Sequence, residues 1–345
     1  MGNKILVTGG AGYIGSHCVI ALINSGYDVV IFDSLEIGHR ETVKILQSIQ
    51  AKGSVIDFIH GNLQNLSDIS SVFKKHNIDS VVHFAAYSQV AESVKDPQKY
   101  YYNNVYGTLN LLNAMIENNV KNIVFSSTAA TYGNPVYAPI DEKHPQIPVN
   151  PYGKTKLMIE NIMDDYDKAY GLKSVRLRYF NVAGADSQTR VGEWHDPETH
   201  LIPNILKSTF NGGKTFTLFG DDYDTKDGTC VRDYINVEDL AAAHVLAIKY
   251  LNNGGETNFF NLGTTEGNSV KEVFKTCEEV VGKSVPLEVH PRRAGDPALL
   301  IAANNKAKSV LGWTPEKSLE DSVTSAYNWE KVLQERLNSK STAGV

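Results

Sequence analysis

Short β-branched runs alternate with helical patterns through the first half of the chain. The strand candidates are residues 5–7, 29–32, 55–59, 81–84 and 123–125, each followed by turn residues and then a helix-like segment, with a sixth near 174–180. Continuous apolar runs separated by helices predict a parallel sheet covered on both faces. In the first helical pattern Ile14, Cys18 and Leu22 recur every four residues, one stripe to bury against that sheet. Beyond Val182 the rhythm breaks. A Gly, Asp and Thr-rich stretch occupies 220–228 and another loop 290–297, while short strands at 231–235 and 258–262 alternate with helical segments at 237–251 and 269–281.

The expected fold class is therefore α/β, a Rossmann-type doubly wound parallel sheet with a smaller mixed α/β lobe. Residues 1–181 form the dinucleotide domain and 182–338 mainly the substrate lobe, with room for the chain to cross back to the first domain; 339–345 is a small, polar, flexible tail. Ligands of such sheets sit at the carboxyl ends of the strands, so the cleft between the lobes is the expected site.

The net charge of -6 over 345 residues argues against a nucleic-acid partner bound through phosphates and leaves room for a local basic pocket for a small anion. No apolar run approaches the length that crosses a bilayer, so no membrane partner is expected and the cytoplasm is the default. Cys18, Cys230 and Cys277 are far apart and read as packing residues. The ten histidines show no His-x-x-x-His pair with a matching acid, and no catalytic metal is expected.

Two motifs carry chemistry. Gly9-Gly10-Ala11-Gly12-Tyr13-Ile14-Gly15 places Gly-x-x-Gly-x-x-Gly between the first strand and the first helix, where Gly9 permits the turn, Gly12 lets backbone approach a pyrophosphate and Gly15 packs helix on sheet. Asp33 ends the second strand where an acid accepts from ribose hydroxyls and repels a 2′-phosphate, which favours NAD over NADP; the alternative is that it only caps the next helix. In Pro151-Tyr152-Gly153-Lys154-Thr155-Lys156, Asn150 is a suitable N-cap, so Tyr152 and Lys156 share a helix face. A cation beside a phenol favours the phenolate, although such a pair also serves plain surface packing.

With Ser126-Ser127-Thr128 added, the chain resembles the extended short-chain dehydrogenase/reductase family, and most of all its UDP-glucose 4-epimerase (UDP-galactose 4-epimerase) branch. The likeness runs from about Lys4 to about Trp329, through the glycine motif, Tyr179-Phe180-Asn181-Val182-Ala183-Gly184, Asp227-Gly228-Thr229-Cys230-Val231-Arg232-Asp233-Tyr234 and Pro291-Arg292-Arg293-Ala294-Gly295-Asp296. It implies NAD-dependent interconversion of UDP-galactose and UDP-glucose: oxidation at sugar C4, rotation of the 4-keto sugar and return of hydride to its other face.

By that resemblance Tyr152 is the base on the 4-hydroxyl, Lys156 binds the nicotinamide ribose and lowers the tyrosine pKa, and Thr128, where many members have Ser, hydrogen-bonds the same hydroxyl. It places Tyr13, Ile14, Asn62, Leu63, Phe84, Ala85, Ala86, Asn104 and Tyr179 around NAD. Asn62 replaces a frequent Asp, which keeps an acceptor and adds a donor, while Ser88 stands where many members have Lys, and the missing charged contact predicts a weaker hold on NAD. It puts Arg232 and Arg293 on the diphosphate, with Asp296 in the same motif, Asn181 and His200 as polar contacts, and Phe216 to Phe219 along the uracil. Leu300, intermediate in size, implies some activity on UDP-N-acetylglucosamine. The family is usually a homodimer, pairing helices near 96–117 and 152–170. A 4,6-dehydratase would carry Asp-Glu after the threonine, where Ala129-Ala130 stand. A UDP-uronate epimerase or decarboxylase and a non-catalytic nucleotide sensor are the other readings.

Overall fold

The computed structural model describes residues 4–49, 54–210, 215–293 and 295–342. Its centre is a parallel sheet of β1 (Lys4–Thr8), β2 (Asp28–Asp33), β3 (Ile56–His60), β4 (Ser80–His83), β5 (Asn122–Thr128), β6 (Lys173–Tyr179) and the strand Asn258–Leu262. Across the sheet the order is Asn258–Leu262, β6, β5, β4, β1, β2, β3. The chain builds outward from β1 on one side and from β4 on the other, so their carboxyl ends flank a switch point where a ligand crevice opens.

Successive residues of a strand point to opposite faces, and both faces are covered. Val7 joins an apolar cluster with Leu22, Leu177, Ile248 and Phe260. Its neighbour Leu6 joins another with Val81, Leu111, Phe125 and Met163. In the first helix, Tyr13–Asn24, Cys18 and Leu22 are fully buried and Ile14 is half-buried. That helix packs against Val237–Asn252. The helical segment beginning at Val237 and the strand Asn258–Leu262 thus complete the central layers, although both come after the rhythm of the first half has ended.

The segment 231–235, expected as one strand, is two. Val231–Arg232 pairs with Asn268–Ser269 and Leu299–Leu300, whereas Tyr234–Asn236 pairs with Asn181–Ala183. Asp233 divides them because its buried carboxylate accepts from Thr264 N at 2.8 Å and Ala302 N at 3.1 Å. With the parallel pair Phe216–Phe219 and Leu287–His290, these short strands stand over the carboxyl ends of the main sheet. Ile205, Tyr234, Phe274 and Val323 fill the core beneath them.

The three cysteines are buried and free. Among the described residues no helix is long and apolar enough to cross a membrane. The last helix, Leu319–Thr342, takes in the start of the segment expected as a loose tail, and the Ser339 hydroxyl donates to Arg336 O at 2.9 Å as a helical side chain does. Residues 343–345 of that tail lie outside the described residues.

Candidate active site

A cleft of about 610 Å³ runs along the carboxyl ends of β1, β2, β4, β5 and β6 to the short strands. At its floor the chain turns at Gly9, whose φ of 72° is left-handed. A Cβ on Gly15 would lie 2.2 Å from Gly9 O, so the helix can enter here only on bare backbone. Gly12 differs, since a Cβ there would meet only Gly9 O at 3.4 Å, an ordinary contact. Packing does not demand this glycine, and its bare face lines the cleft. Gly12 is also the N-cap of Tyr13–Asn24, and no side chain caps that helix. An uncapped helix N-terminus beside a bare glycine is a seat for a diphosphate.

Asp33 lines the same cleft. Its carboxylate accepts from Ala11 N at 3.0 Å and Leu35 N at 2.8 Å. It braces the glycine loop and does not cap the next helix, whose N-cap is His39. Burial raises its pKa, and the hydrogen bonds from Leu35 and Ala11 oppose the rise. Tyr13, Ile14, Asn62, Leu63, Phe84, Ala85, Ala86, Ser88 and Tyr179 are all on the wall. Asn104 is not. Fully buried, it accepts from Tyr87 N at 2.9 Å and donates to Tyr87 O at 3.0 Å and Thr155 Oγ1 at 3.2 Å, so its polar groups tie the wall together from behind.

Asn150 Oδ1 accepts from Gly153 N at 2.8 Å and Pro151 takes the first turn of Pro151–Tyr170, as the motif predicts. A Cβ on Gly153 would fall 2.4 Å from Ala130 O; glycine here lets the helix lie against the end of β5. That approach brings Tyr152 beside Thr128, whose hydroxyl pulls the phenol pKa down. Thr128 Oγ1 accepts from Ala130 N at 3.1 Å, and its own proton stays available to donate. Lys156 is buried, with Nζ donating to Ser126 O at 2.8 Å and standing 5.9 Å from the Tyr152 ring centre.

The electrostatics depart from the simple pairing of cation and phenol. Burial holds the Tyr152 phenol up at about 12, with the Thr128 hydrogen bond pulling it down. Burial also brings Lys156 down to about 7, against the attraction of Glu160. In a low dielectric each group favours its neutral form, so Lys156 alone does not make a phenolate here. One turn beyond Lys156, the Glu160 carboxylate accepts from Arg178 Nε at 3.0 Å and Ser127 Oγ at 2.5 Å.

Asn181, His200, Phe216, Phe219, Arg232, Arg293 and Asp296 line the opposite wall. Arg232 donates to Asp296 Oδ1 at 2.6 Å and to the carbonyls of Val231 and Pro297 at 2.8 Å, so its fork is fixed before any ligand arrives. The Arg293 guanidinium lies 4.2 Å from the Phe219 ring centre. Leu300 is absent from the wall. It sits half-buried alongside Arg232 as its parallel-strand partner. Motif spacing had given no sign that the Tyr87 phenol donates to Glu36, joining the loops after β2 and β4 at the rim. Nor had it shown that His200 is already engaged, its Nδ1 lying 2.7 Å from Glu193 and 2.9 Å from Glu198.

Residues 6–326 match the family model described as GDP-mannose 4,6 dehydratase. A UDP-glucose 4-epimerase of Halalkalibacterium halodurans is 52% identical over 328 residues, covering 95% of this chain and 95% of its own. The chain belongs to the extended short-chain dehydrogenase/reductase family, in its UDP-glucose 4-epimerase branch. Solved members share the fold throughout. The UDP-glucose-4-epimerase of Stenotrophomonas maltophila with bound NAD and formylated UDP-arabinopyranose superposes at a TM-score of 0.93 with 38% identity, covering 97% of this chain and 99% of that one. The Bifidobacterium longum UDP-glucose 4-epimerase in complex with NAD+ and UDP gives 0.89 and 40%, covering 95% and 98%. Within the epimerase branch the dehydratase name of the family model does not transfer to the chemistry, because Ala129 and Ala130 follow Thr128 and neither can move a proton.

Proposed function

We propose that this protein interconverts UDP-galactose and UDP-glucose by NAD-dependent epimerisation at C4 of the hexose. The observation that carries the reading is the meeting of Thr128, Tyr152 and Lys156 with the glycine-loop seat in one cleft. Gly12, the first turn of Tyr13–Asn24 and Asp33 would hold the dinucleotide, with Asp33 on the adenosine ribose. The dinucleotide supplies a reversible hydride acceptor and, when oxidised, a fixed positive charge on its pyridine ring.

That charge matters for Tyr152, whose buried phenol otherwise stays protonated at neutral pH and so cannot act as the base. Thr128 donates to the phenol oxygen and lowers its pKa further. Tyr152 takes the sugar hydroxyl proton and later returns it. Lys156, fixed on Ser126 O, is placed to bind the ribose and hold the register of ring and phenol. Arg232, Arg293, Asn181 and His200 would grip the UDP moiety. Holding the nucleotide while leaving the hexose loosely bound lets the sugar turn over, and spends binding energy on the part that does not react.

The finer assignments belong to the same proposal. Tyr102 and Tyr106 stack with ring centres 5.0 Å apart and are exposed, a face suited to a second copy in a homodimer. Three buried free thiols suit a reducing cytoplasm. Some turnover of UDP-N-acetylhexosamines belongs to the same proposal, on the intermediate size of Leu300 beside Arg232 in the strand pair. The test is to incubate the protein with UDP-galactose and no added reductant: UDP-glucose should accumulate to equilibrium, and its absence from NAD-loaded protein would refute the reading.

A further inference from the structure

Residues 193–200 form a loop that bends back on itself before the helix Leu201–Phe210, and Glu193, His195, Glu198 and His200 turn their side chains to one point. The four donor atoms all lie within 4.8 Å of one another. His200 Nδ1 is 2.7 Å from Glu193 Oε1 and 2.9 Å from Glu198 Oε1; His195 Nδ1 is 3.1 Å from Glu193 Oε1 and 3.8 Å from Glu198 Oε2. Each imidazole nitrogen thus faces two carboxylates and carries at most one proton to serve them.

A single cation at the centre satisfies all four at once. Around a metal with bonds of about 2.0–2.2 Å, tetrahedral donors stand about 3.4 Å apart, and the imidazole-to-carboxylate separations here, measured to one or the other oxygen of Glu198, fall on either side of that value. Two carboxylates and two neutral imidazoles leave a divalent ion with no net charge, with Glu193 buried on one side of the cluster and His200 open to solvent on the other.

The groups are held from outside as metal ligands are. Glu198 Oε1 accepts from Thr199 N at 2.8 Å and His200 N at 2.9 Å. The backbone carbonyl of Glu193 accepts from Trp329 Nε1 at 2.8 Å. A Cβ on Gly192 would lie 2.4 Å from the Trp329 ring, so the loop is seated on that indole. The tip of Lys207 lies 4.0 Å from Glu198 Oε2.

We propose that Glu193, His195, Glu198 and His200 form a binding site for one divalent transition-metal ion of the zinc class. Two nitrogens and two oxygens in a tetrahedron suit Zn²⁺ or Co²⁺, whereas Mg²⁺ and Ca²⁺ seek six or more oxygens. The ion clips the loop to the start of Leu201–Phe210. Because Glu193, His195 and His200 also line the cleft, occupancy stiffens the wall against which the nucleotide part of the substrate lies.

The test reads metal directly and needs no turnover, so it stands or falls apart from the epimerase reading. Full-length holoenzyme is dialysed against a chelator and then titrated with Co²⁺, and separately with Zn²⁺ by equilibrium dialysis. The expected result is one ion per chain with the intense visible bands of tetrahedral Co²⁺, displaced by Zn²⁺. His195→Asn and Glu193→Gln, checked for native circular dichroism, should each weaken Zn²⁺ binding by about 100-fold or more. No saturable binding, a pale octahedral Co²⁺ spectrum, or undiminished affinity in a folded His195→Asn protein would overturn the proposal. The Co²⁺ spectrum of the unaltered chain decides the matter even where a variant does not fold.

Discussion

Thr128, at the end of β5, lowers the pKa of the Tyr152 phenol at the start of the following helix while its own oxygen accepts the Ala130 N–H at 3.1 Å. The backbone contact takes one lone pair of the hydroxyl and leaves its proton available to an ionised phenol. This is a polarised arrangement: the hydroxyl stabilises Tyr152 most when the phenol is ionised, which is when it acts as a base.

Removing that donor should slow the proton transfer and leave the grip on UDP intact. Thr128→Val is expected to lower kcat by about 10²-fold with little change in KM, whereas Thr128→Ser keeps the hydroxyl and should stay within about threefold of the parent. Steady-state kinetics on UDP-galactose distinguish the two. Equal kcat for Val and Ser would contradict the donor role.

Lys156 carries a pH signature in stability. Its folded pKa of about 7 lies below the ordinary 10.5, so between those values the unfolded chain binds the extra proton and stability rises with pH. The slope is at most about 1.4 kcal/mol per pH unit. Denaturant unfolding of nucleotide-free protein should show the parent gaining on Lys156→Met from pH 7 to pH 9. Parallel curves would mean that the ammonium is not depressed by burial.

Glu160 and Arg178 are both buried, and the guanidinium also lies 4.3 Å from the Phe259 ring centre. Glu160→Gln leaves Arg178 charged and short of its partner, and should cost about 3–5 kcal/mol in unfolding free energy. A loss below about 1 kcal/mol would show that the pair is dispensable.

Ser88 lines the dinucleotide end of the cleft without a charge to offer. Ser88→Lys should add a charge-assisted contact to a phosphate and raise the fraction of NAD surviving dialysis. Equal retention in the two proteins would contradict a role for that position in holding NAD.

The strands of the first half, the glycine turn and the Tyr152 helix were legible because each is governed by local rules: apolar runs, bare backbone at a turn, Asn150 and Pro151 at a helix start. The strand Asn258–Leu262 and the helix Val237–Asn252 return to the main sheet through long-range packing that local pattern does not encode. Asn104 shows the same limit, since a buried amide serving two loops and a surface amide serving a ligand look alike in sequence. The Glu193 to His200 cluster went unseen because its donors converge through a loop, not at the i, i+4 spacing of a helix. The spacing of Tyr152 and Lys156 puts them on one helix face, but desolvation outweighs that neighbour, and burial is a property of the fold.

The central claim is that Tyr152 moves the proton of the sugar hydroxyl. The most direct measurement is kcat for UDP-galactose conversion by Tyr152→Phe, which keeps the ring and removes the oxygen, in protein shown to retain NAD and to bind UDP. A fall of about 10³-fold or more at unchanged UDP affinity is predicted. Turnover within about threefold of the parent would contradict the account.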